Sequence, residues 1–216
     1  MSQAFGKTRW RRFAVVMVPS IAATAAIGIS LAQGALAASF NVSGQQFKVA
    51  ASHLEGHGFA QYGSLDVEKA GVPHPVAVSS FKTATINKLC QSVVLDAPLI
   101  GKVSLNINAG DDANKPVEAE NLYIDLDDLN ADATFSNINI GVATGAITKG
   151  NVNPADRAAA QKLGIGDKFE NSFAQEADEA VLDGVQQTAW ATSAGTFKLS
   201  GLHLAVKTGV HECFPS

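Results

Sequence analysis

The sequence has few of the residues that carry metal and nucleophile chemistry. It contains two cysteines, two tryptophans and two tyrosines, and aromatic residues make up 7% of the chain. It has no CxxC, HExxH or GxSxG pattern and no glycine-rich phosphate loop. These absences exclude the familiar zinc-binding, α/β-hydrolase and nucleotide-binding signatures. No motif therefore assigns an activity, and nothing in the sequence calls for a cofactor.

Positive charge is also scarce. The chain has 16 Lys and Arg residues against 20 Asp and Glu residues, and Lys7, Arg9, Arg11 and Arg12 all lie near its start. The rest of the chain is therefore clearly acidic. An acidic surface argues against binding to nucleic acid and against adsorption to anionic lipid.

The N-terminus has the three-part layout of a secretory signal peptide. Its basic start precedes an apolar run over residues 13–31 and then Ala35-Leu36-Ala37, which fits an Ala-x-Ala cleavage site. We expect a signal peptide over residues 1–37 and an exported domain over 38–216, secreted or at the cell surface. Because about 20 apolar residues span a bilayer, retention of residues 13–32 as an anchor is the alternative, and this anchor would be the only membrane contact.

The two cysteines, Cys90 and Cys213, are predicted to form a disulfide, because exported proteins meet an oxidising environment. The closed loop is long, so chain entropy gives about 4–5 kcal/mol as an upper figure for the stabilisation. The bond would tie the extreme C-terminus to the middle of the domain.

Apolar and polar residues alternate with a period of two in residues 102–108 and 121–127. This alternation predicts half-buried strands with one wet face, typical of an antiparallel sheet. The predicted buried residues are Val103, Leu105, Ile107, Leu122, Ile124 and Leu126, and the predicted wet residues include Ser104, Asn106, Asp125 and Asp127. We therefore expect a mainly β, single antiparallel domain, either a sandwich or a solenoid-like sheet.

Four segments resemble one another and begin at Ile100, Ala119, Phe135 and Leu199. Each has apolar residues at the third, fifth and seventh positions after its start, which suggests equivalent strands. The step before the alternation breaks the period of two, so we expect a backbone kink there. The residues that fit this kink are Gly101, Asn137 and Gly201. Chance matches among strands are the alternative explanation.

One region differs from the strands. Asn153, Pro154 and Gly164 are an N-cap, a first-turn proline and a C-terminal glycine around an Ala-rich body, which predicts a short helix. Phe169, Phe173 and Ala177 recur every four residues, which predicts a second helical piece over residues 169–182. We therefore expect one or two short helices near residues 153–182.

Ser193 lies in an AxSxG sequence and is the candidate nucleophile of an ester hydrolase, with His57, His203 or His211 as the base. A hydrolase elbow needs a strand that turns into a helix. Residues 196–199 instead suggest a following strand, so a hairpin turn explains the motif without chemistry.

The acidic cluster Asp125, Asp127, Asp128 and Asp132 offers candidate ligands for a metal ion. It lacks the order of ligands and the central glycine of a calcium loop, so a solvated strand face is favoured. His53 and His57 are four residues apart but have no third ligand nearby in the sequence.

Several stretches together are similar to a known family: FKVAASHLEGHGFAQYG, HPVAVSSF, LCQSVV, ATFSNINIG, TAWATSAGTFKLSGL and the terminal HEC. They resemble exported actinobacterial proteins that share a domain of unknown function and are often labelled cholesterol esterases. The resemblance covers residues 40–213 and includes both cysteines. It implies export and a shared fold, and the label implies sterol or lipid ester chemistry.

Three functions remain open at this point. The first is an exported, non-enzymatic protein that binds an apolar, lipid-like or sterol-like ligand or an envelope partner. The second is a serine hydrolase of steryl or lipid esters. The third is a structural surface component whose strands pair between copies, since exposed edge strands invite self-association.

Overall fold

The computed structural model describes residues 44–68 and 71–215, so the predicted signal peptide lies outside the described residues. In chain order the strands are β1 (Phe47–Val67), β2 (Pro73–Asn87), β3 (Leu89–Ala97), β4 (Gly101–Ala109), β5 (Val117–Ser136), β6 (Asn139–Ala143), β7 (Phe173–Ser193), β8 (Thr196–Lys198) and β9 (His203–Thr208). The helices are α1 (Pro154–Lys162) and α2 (Gly166–Glu170), and a 3₁₀ helix spans Thr144–Ala146. Within the described part of the chain, no helix is long and apolar enough to cross a membrane.

The strands of the described residues form one antiparallel sheet in the order β6-β7-β5-β2-β1-β3-β4-β9, and β8 pairs with β5. β1 pairs with β2 and with β7, and β5 also pairs with both of these strands. The four long strands β1, β2, β5 and β7 therefore close into a ring. The expected mainly β, antiparallel domain is confirmed, and its strands belong to one curled sheet.

The interior of the ring holds the main hydrophobic core. Alternate residues of the four strands point inward, as the period of two requires. The core includes Leu54, Phe59, Phe81, Leu122, Ile124, Leu126, Leu182 and Val185. Phe59 lies 5.4 Å from Phe81 and 5.1 Å from Phe135 between ring centroids. The predicted burial of Leu122, Ile124 and Leu126 is confirmed.

Residues 144–172, called the excursion here, leave the sheet and fold back onto the outer face of the ring. Val152 and Phe169 of the excursion pack against Tyr62, Val76 and Val78 of the sheet in a second core. The contact is close, because a Cβ atom on Gly150 would lie 2.5 Å from the Cβ atom of Ala60. The excursion therefore buries part of a sheet face that alternation alone would leave in water.

The first predicted helix is confirmed in its caps as well as its length. The side chain of Asn153 accepts a hydrogen bond from the backbone N–H of Ala155 at 3.0 Å, and Pro154 is the first helical residue. Gly164 follows the helix with φ +70°, the left-handed conformation that favours glycine after a helix end.

The second predicted helix, over residues 169–182, is wrong for most of its length. The helix α2 ends at Glu170, and β7 begins at Phe173 and continues to Ser193. In β7 this sequence pairs with β1 on one side and with β5 and β6 on the other. These long-range pairings outweigh the four-residue spacing of apolar side chains.

The predicted faces of residues 102–108 are also wrong. Ser104 and Asn106 are buried, whereas Val103, Leu105 and Ile107 are only half-buried. The reason is the C-terminal segment. The Ser104 Oγ donates to the carbonyl of Gly209 at 2.8 Å, and the Asn106 Nδ2 donates to the carbonyl of His211 at 2.8 Å. The C-terminal segment therefore covers this face of the strand.

The predicted disulfide between Cys90 and Cys213 is confirmed, with 5.9 Å between the two Cα atoms. The backbone N–H of Cys213 also donates to the Ser92 Oγ at 3.0 Å. The terminal segment is thus held on β3 and β4 by one covalent bond and by several hydrogen bonds.

The predicted kinks occur at the three expected positions. Gly101, Asn137 and Gly201 have φ values of 82°, 54° and 68°, in the left-handed region. Asn121, at the corresponding position of the segment that begins at Ala119, has φ 48°. The four similar segments therefore share a backbone feature as well as an apolar pattern.

Candidate functional site

A cleft of 370 Å³ lies between the outer face of the ring and the helices of the excursion. Small-molecule sites occupy about 300–1,000 Å³ and combine apolar walls with a few polar groups. The apolar residues of this cleft include Leu65, Val76, Ala160, Leu163, Ile165 and Phe169. The polar residues are Ser64, Asp156, Lys168 and Ser172. The cleft therefore has the size and composition of a small-molecule site.

The helix α1 supplies one wall of the cleft. Asp156, Ala159, Ala160 and Leu163 lie at the spacing i, i+3, i+4 and i+7, so they share one helix face. The cap at Asn153 starts the helix at the point that turns this face toward the sheet. Three of the four side chains are apolar, and Asp156 places the one carboxyl group of this wall in the cleft.

Three carboxyl groups lie close together behind the cleft. Asp66 is near the end of β1, Asp125 is in the middle of β5 and Asp156 is in the first turn of α1. Asp125 is 6% exposed, because the excursion covers the outer face of the sheet at this point. Asp66 Oδ2 and Asp125 Oδ1 are buried and have no hydrogen-bond partner in the protein.

Tyr62 connects the carboxyl cluster to the start of α1. Its hydroxyl group donates to Asp156 Oδ2 at 2.8 Å and accepts from the backbone N–H of Asn153 at 2.8 Å. Burial and the negative charge of Asp156 raise the pKa of Tyr62. The phenol therefore stays protonated and fixes Asp156 relative to the sheet.

The surroundings raise the pKa of all three carboxyl groups. Burial, followed by the charges of Asp66 and Asp156, raises the pKa of Asp125 to about 8. Burial and the charge of Asp156 raise the pKa of Asp66 to about 6. Burial also raises the pKa of Asp156, against the hydrogen bonds from Tyr62 and Ser64. Like charges in a desolvated site disfavour each other, so Asp125 keeps its proton to a higher pH than an exposed aspartate does.

An aromatic stack lies beside the carboxyl cluster. His74 is the cross-strand partner of Asp66, and its ring stacks on Trp190 with 3.8 Å between centroids and an angle of 21°. The Nε2 of His74 is 2.7 Å from Glu68 Oε1. The charge of His74 lowers the pKa of Asp66 and partly offsets the effect of burial.

Ser193 is the last residue of β7 and lies opposite Tyr123 of β5. The next element is the strand β8, as predicted, and this differs from the strand-turn-helix of a hydrolase elbow. The predicted hairpin turn is wrong, because β8 continues β7 along the same neighbour β5 in the same register and does not fold back on β7. Among the hydrogen bonds of the described residues, none joins Ser193 to a histidine.

The three candidate bases lie in different places. His57 is on the outer face of β1 beside Glu55 and Glu179. His203 begins β9, and His211 is in the C-terminal segment with its Nε2 3.1 Å from the carbonyl oxygen of Thr208. The described contacts do not bring any of these histidines to Ser193.

The four aspartates that are candidate metal ligands do not form one site either. Asp127, Asp128 and Asp132 are exposed, and Asp127 accepts a hydrogen bond from Gln46 Nε2 at 3.0 Å. The predicted solvation of Asp125 is wrong, because Asp125 is buried under the excursion. Within the described residues, none of the four belongs to a trio of metal-ligating atoms that lie within 4.8 Å of one another.

Sequence reasoning missed Asp66, Asp156 and Tyr62. They lie 59, 31 and 63 positions from Asp125 along the chain. The pairing of β1, β2 and β5 places Asp66 and Tyr62 near Asp125, and the return of the excursion adds Asp156. The available signal was Asp156, an acidic residue in the first turn of a recognisable helix, where a carboxylate is favoured.

A second, smaller cavity of 180 Å³ lies inside the ring. Its lining combines apolar residues such as Leu54, Phe59 and Phe81 with the polar side chains of Gln61 and Ser79. The Gln61 Nε2 donates to the Ser79 Oγ at 2.9 Å. An apolar cavity of about 150 Å³ holds a molecule the size of benzene, so this space suits a smaller molecule than the cleft does.

Fold and site together define a disulfide-bonded, mainly β domain with an apolar cleft and a buried carboxyl cluster behind it. The chain belongs to the family of unknown function DUF6230, whose match covers residues 43–214. No curated protein and no solved structure matches the chain.

Proposed function

We propose that the protein is an exported binding protein for a small, uncharged, lipid-like molecule with one hydroxyl or carbonyl group. The observation that carries the proposal is the 370 Å³ cleft, in which apolar walls surround a few polar groups. The predicted signal peptide supports export, and so does the disulfide between Cys90 and Cys213, because disulfides persist in oxidising compartments.

The chemistry of the cleft supports an uncharged ligand. Leu65, Val76 and Phe169 offer contact to an apolar body, and Ser64 and Asp156 offer hydrogen bonds to a polar end. A ligand carboxylate would lie near the Asp156 carboxyl group and near an acidic cluster, where negative charge is disfavoured. A long-chain alcohol or an ester carbonyl avoids this repulsion.

Titration calorimetry with 1-octanol and 1-decanol tests the proposal. Each buried methylene contributes about 0.8 kcal/mol, so we expect 1-decanol to bind about tenfold more tightly than 1-octanol. Octanoate at neutral pH is expected to bind more weakly than 1-octanol. Equal affinity for the two alcohols would contradict burial of the apolar chain.

The helix α1 offers a matched pair of variants. Ala159 lines the cleft, whereas Ala158 is exposed on the other side of the same helix. We expect Ala159→Phe to fill the cleft and weaken alcohol binding at least about tenfold, equivalent to about 1.4 kcal/mol. Ala158→Phe is expected to bind like the unmodified protein. If the two variants bind equally, the ligand does not occupy this cleft.

A further inference from the structure

A histidine and two glutamates come together on the outer face of the ring, apart from the cleft. Glu55 and His57 are two residues apart on β1, so their side chains share one face of the strand. Glu179 of β7 is the cross-strand partner of His57. Directly opposed residues in an antiparallel pair have Cβ atoms about 4.5–5.5 Å apart. The backbone register therefore fixes all three side chains as neighbours.

The side chains converge as well as the backbone positions. His57 Nε2 is 3.5 Å from Glu55 Oε1, and His57 Nδ1 is 3.9 Å from Glu179 Oε1. One ligand atom from each residue lies within 4.8 Å of the other two, and no other trio of His, Cys, Asp or Glu among the described residues meets this condition. Ligand atoms on one zinc ion are about 3–3.5 Å apart, given metal–ligand distances of about 2.0–2.2 Å. Small rotations of three partly exposed side chains close the remaining gap.

We propose that Glu55, His57 and Glu179 bind a divalent transition-metal ion, with Zn²⁺ as the expected occupant. One imidazole and two carboxylates are a mixed nitrogen and oxygen donor set, which zinc accepts. The side chains of Glu55, His57 and Glu179 are 43%, 58% and 34% exposed, so the ion is reachable from solvent. Three protein ligands leave a fourth position of a tetrahedral site for water or a donor from another molecule.

A hydrogen bond from β5 holds Glu179, one of the three proposed ligands, in position. The Ser136 Oγ of β5 donates a hydrogen bond to Glu179 Oε2 at 3.2 Å. Such outer contacts orient a ligand and leave its other oxygen for the metal. The ligands thus stand on two paired strands and are braced from a third.

The same face supplies a matched control. His53 is two positions from Glu55 on β1, and its Nδ1 is 2.7 Å from Asp183 Oδ1 of β7. This histidine has one carboxylate partner where His57 has two. If any histidine next to a carboxylate on this face bound zinc, replacing His53 or His57 would lower the zinc affinity equally.

Calorimetric titration of ZnCl₂ into the purified protein, without a histidine tag and after treatment with a chelator, tests the site. We expect one ion per chain. Loss of an outer hydrogen bond costs about 10–100-fold in metal affinity, so Ser136→Ala is expected to lose about tenfold. His57→Ala and Glu179→Gln, which remove a ligand, are expected to lose at least about 100-fold. His53→Ala is expected to bind as the unmodified protein does.

Thermal unfolding gives a second readout, because an ion that binds only the folded state raises its midpoint. We expect zinc to raise the midpoint of the unmodified protein and of His53→Ala, but not that of His57→Ala. Circular dichroism of the variants checks that they fold. Equal zinc affinity in His57→Ala and His53→Ala would overturn the proposal. So would no binding by the unmodified protein at a zinc concentration on the order of 0.1 mM.

Discussion

Replacement of Asp125 by asparagine is expected to stabilise the protein at pH 8 by up to about 5 kcal/mol, because each unit of pKa shift is equivalent to about 1.4 kcal/mol, and to change its stability little at pH 3. The ordinary pKa of 3.8 rises to about 8 in the folded chain, because Asp125 is buried beside Asp66 and Asp156. Between these values the folded state holds a proton that the unfolded state has released. Stability therefore falls as the pH rises from about 4 to about 8. Asparagine cannot titrate, so the variant escapes this loss.

Denaturant unfolding of Asp125→Asn at several pH values between 3 and 8 measures the effect. The matched control is Asp128→Asn, because Asp128 lies on the same strand but is exposed. We expect the control to follow the pH dependence of the unmodified protein. A variant Asp125→Asn that loses stability with rising pH as steeply as the unmodified protein would show that Asp125 is ionised throughout.

Replacement of Glu176 by alanine is expected to destabilise the protein by about 4 kcal/mol at pH 7, since each hydrogen bond to a buried charge contributes about 1.5–3 kcal/mol. Glu176 is 3% exposed in β7, and its Oε2 accepts from the backbone N–H groups of Thr148 and Lys149 at 2.6 and 2.8 Å. Its Oε1 accepts from Asn139 Nδ2 at 3.1 Å. Alanine removes the acceptor that these three donors share and releases the start of the excursion from the sheet.

The contribution of Glu176 to stability changes with pH in the opposite direction to that of Asp125. Burial raises the pKa of Glu176, but the hydrogen bonds from Lys149 and Thr148 outweigh it, so the pKa lies below its ordinary value of 4.5. The stabilisation is therefore present above pH 4.5 and is lost as the pH falls through the folded-state pKa. Denaturant unfolding checks the loss, with Glu118→Ala as the control at an exposed glutamate. Equal stability of the two variants at pH 7 would contradict the stabilisation of the excursion by Glu176.

Local patterns in the sequence predicted the parts of the fold that depend on near neighbours. The alternation over residues 121–127 predicted the burial of Leu122, Ile124 and Leu126 correctly, because these side chains face the ring interior. The helix α1 could be predicted because its caps lie at both of its ends. The kink at Gly101 was predictable because glycine tolerates a positive φ without strain.

The wrong predictions share one physical cause. The four-residue spacing predicts a helix over part of what is the strand β7, and the alternation over residues 102–108 predicts that Ser104 and Asn106 face solvent. In each case a distant segment decides the outcome: β1 and β5 pair with β7, and the C-terminal segment covers β4. A single sequence does not show which distant segments come into contact. A pattern of period two or four therefore cannot predict which strand faces such a segment will cover.

The candidate site was less predictable than the fold for the same reason. The alternation of the strand predicts that Asp125 lies on its wet face. The excursion covers that face and brings Asp156 to it, and the β1–β2 hairpin supplies Asp66. Glu55 and His57 were adjacent on one strand face in the sequence, but the register that adds Glu179 is set by β1–β7 pairing.

Chemical-shift mapping by NMR tests the central claim most directly, because it reports the position of a bound alcohol residue by residue. On titration with 1-octanol, we expect the largest backbone amide shifts at Leu65, Ala160, Leu163 and Phe169, around the cleft. The amide of Phe59, inside the ring, is expected to shift little. Shifts centred on Phe59 and its neighbours in the 180 Å³ cavity, or no shifts at a saturating concentration of 1-octanol, would contradict the assignment of the cleft as the binding site.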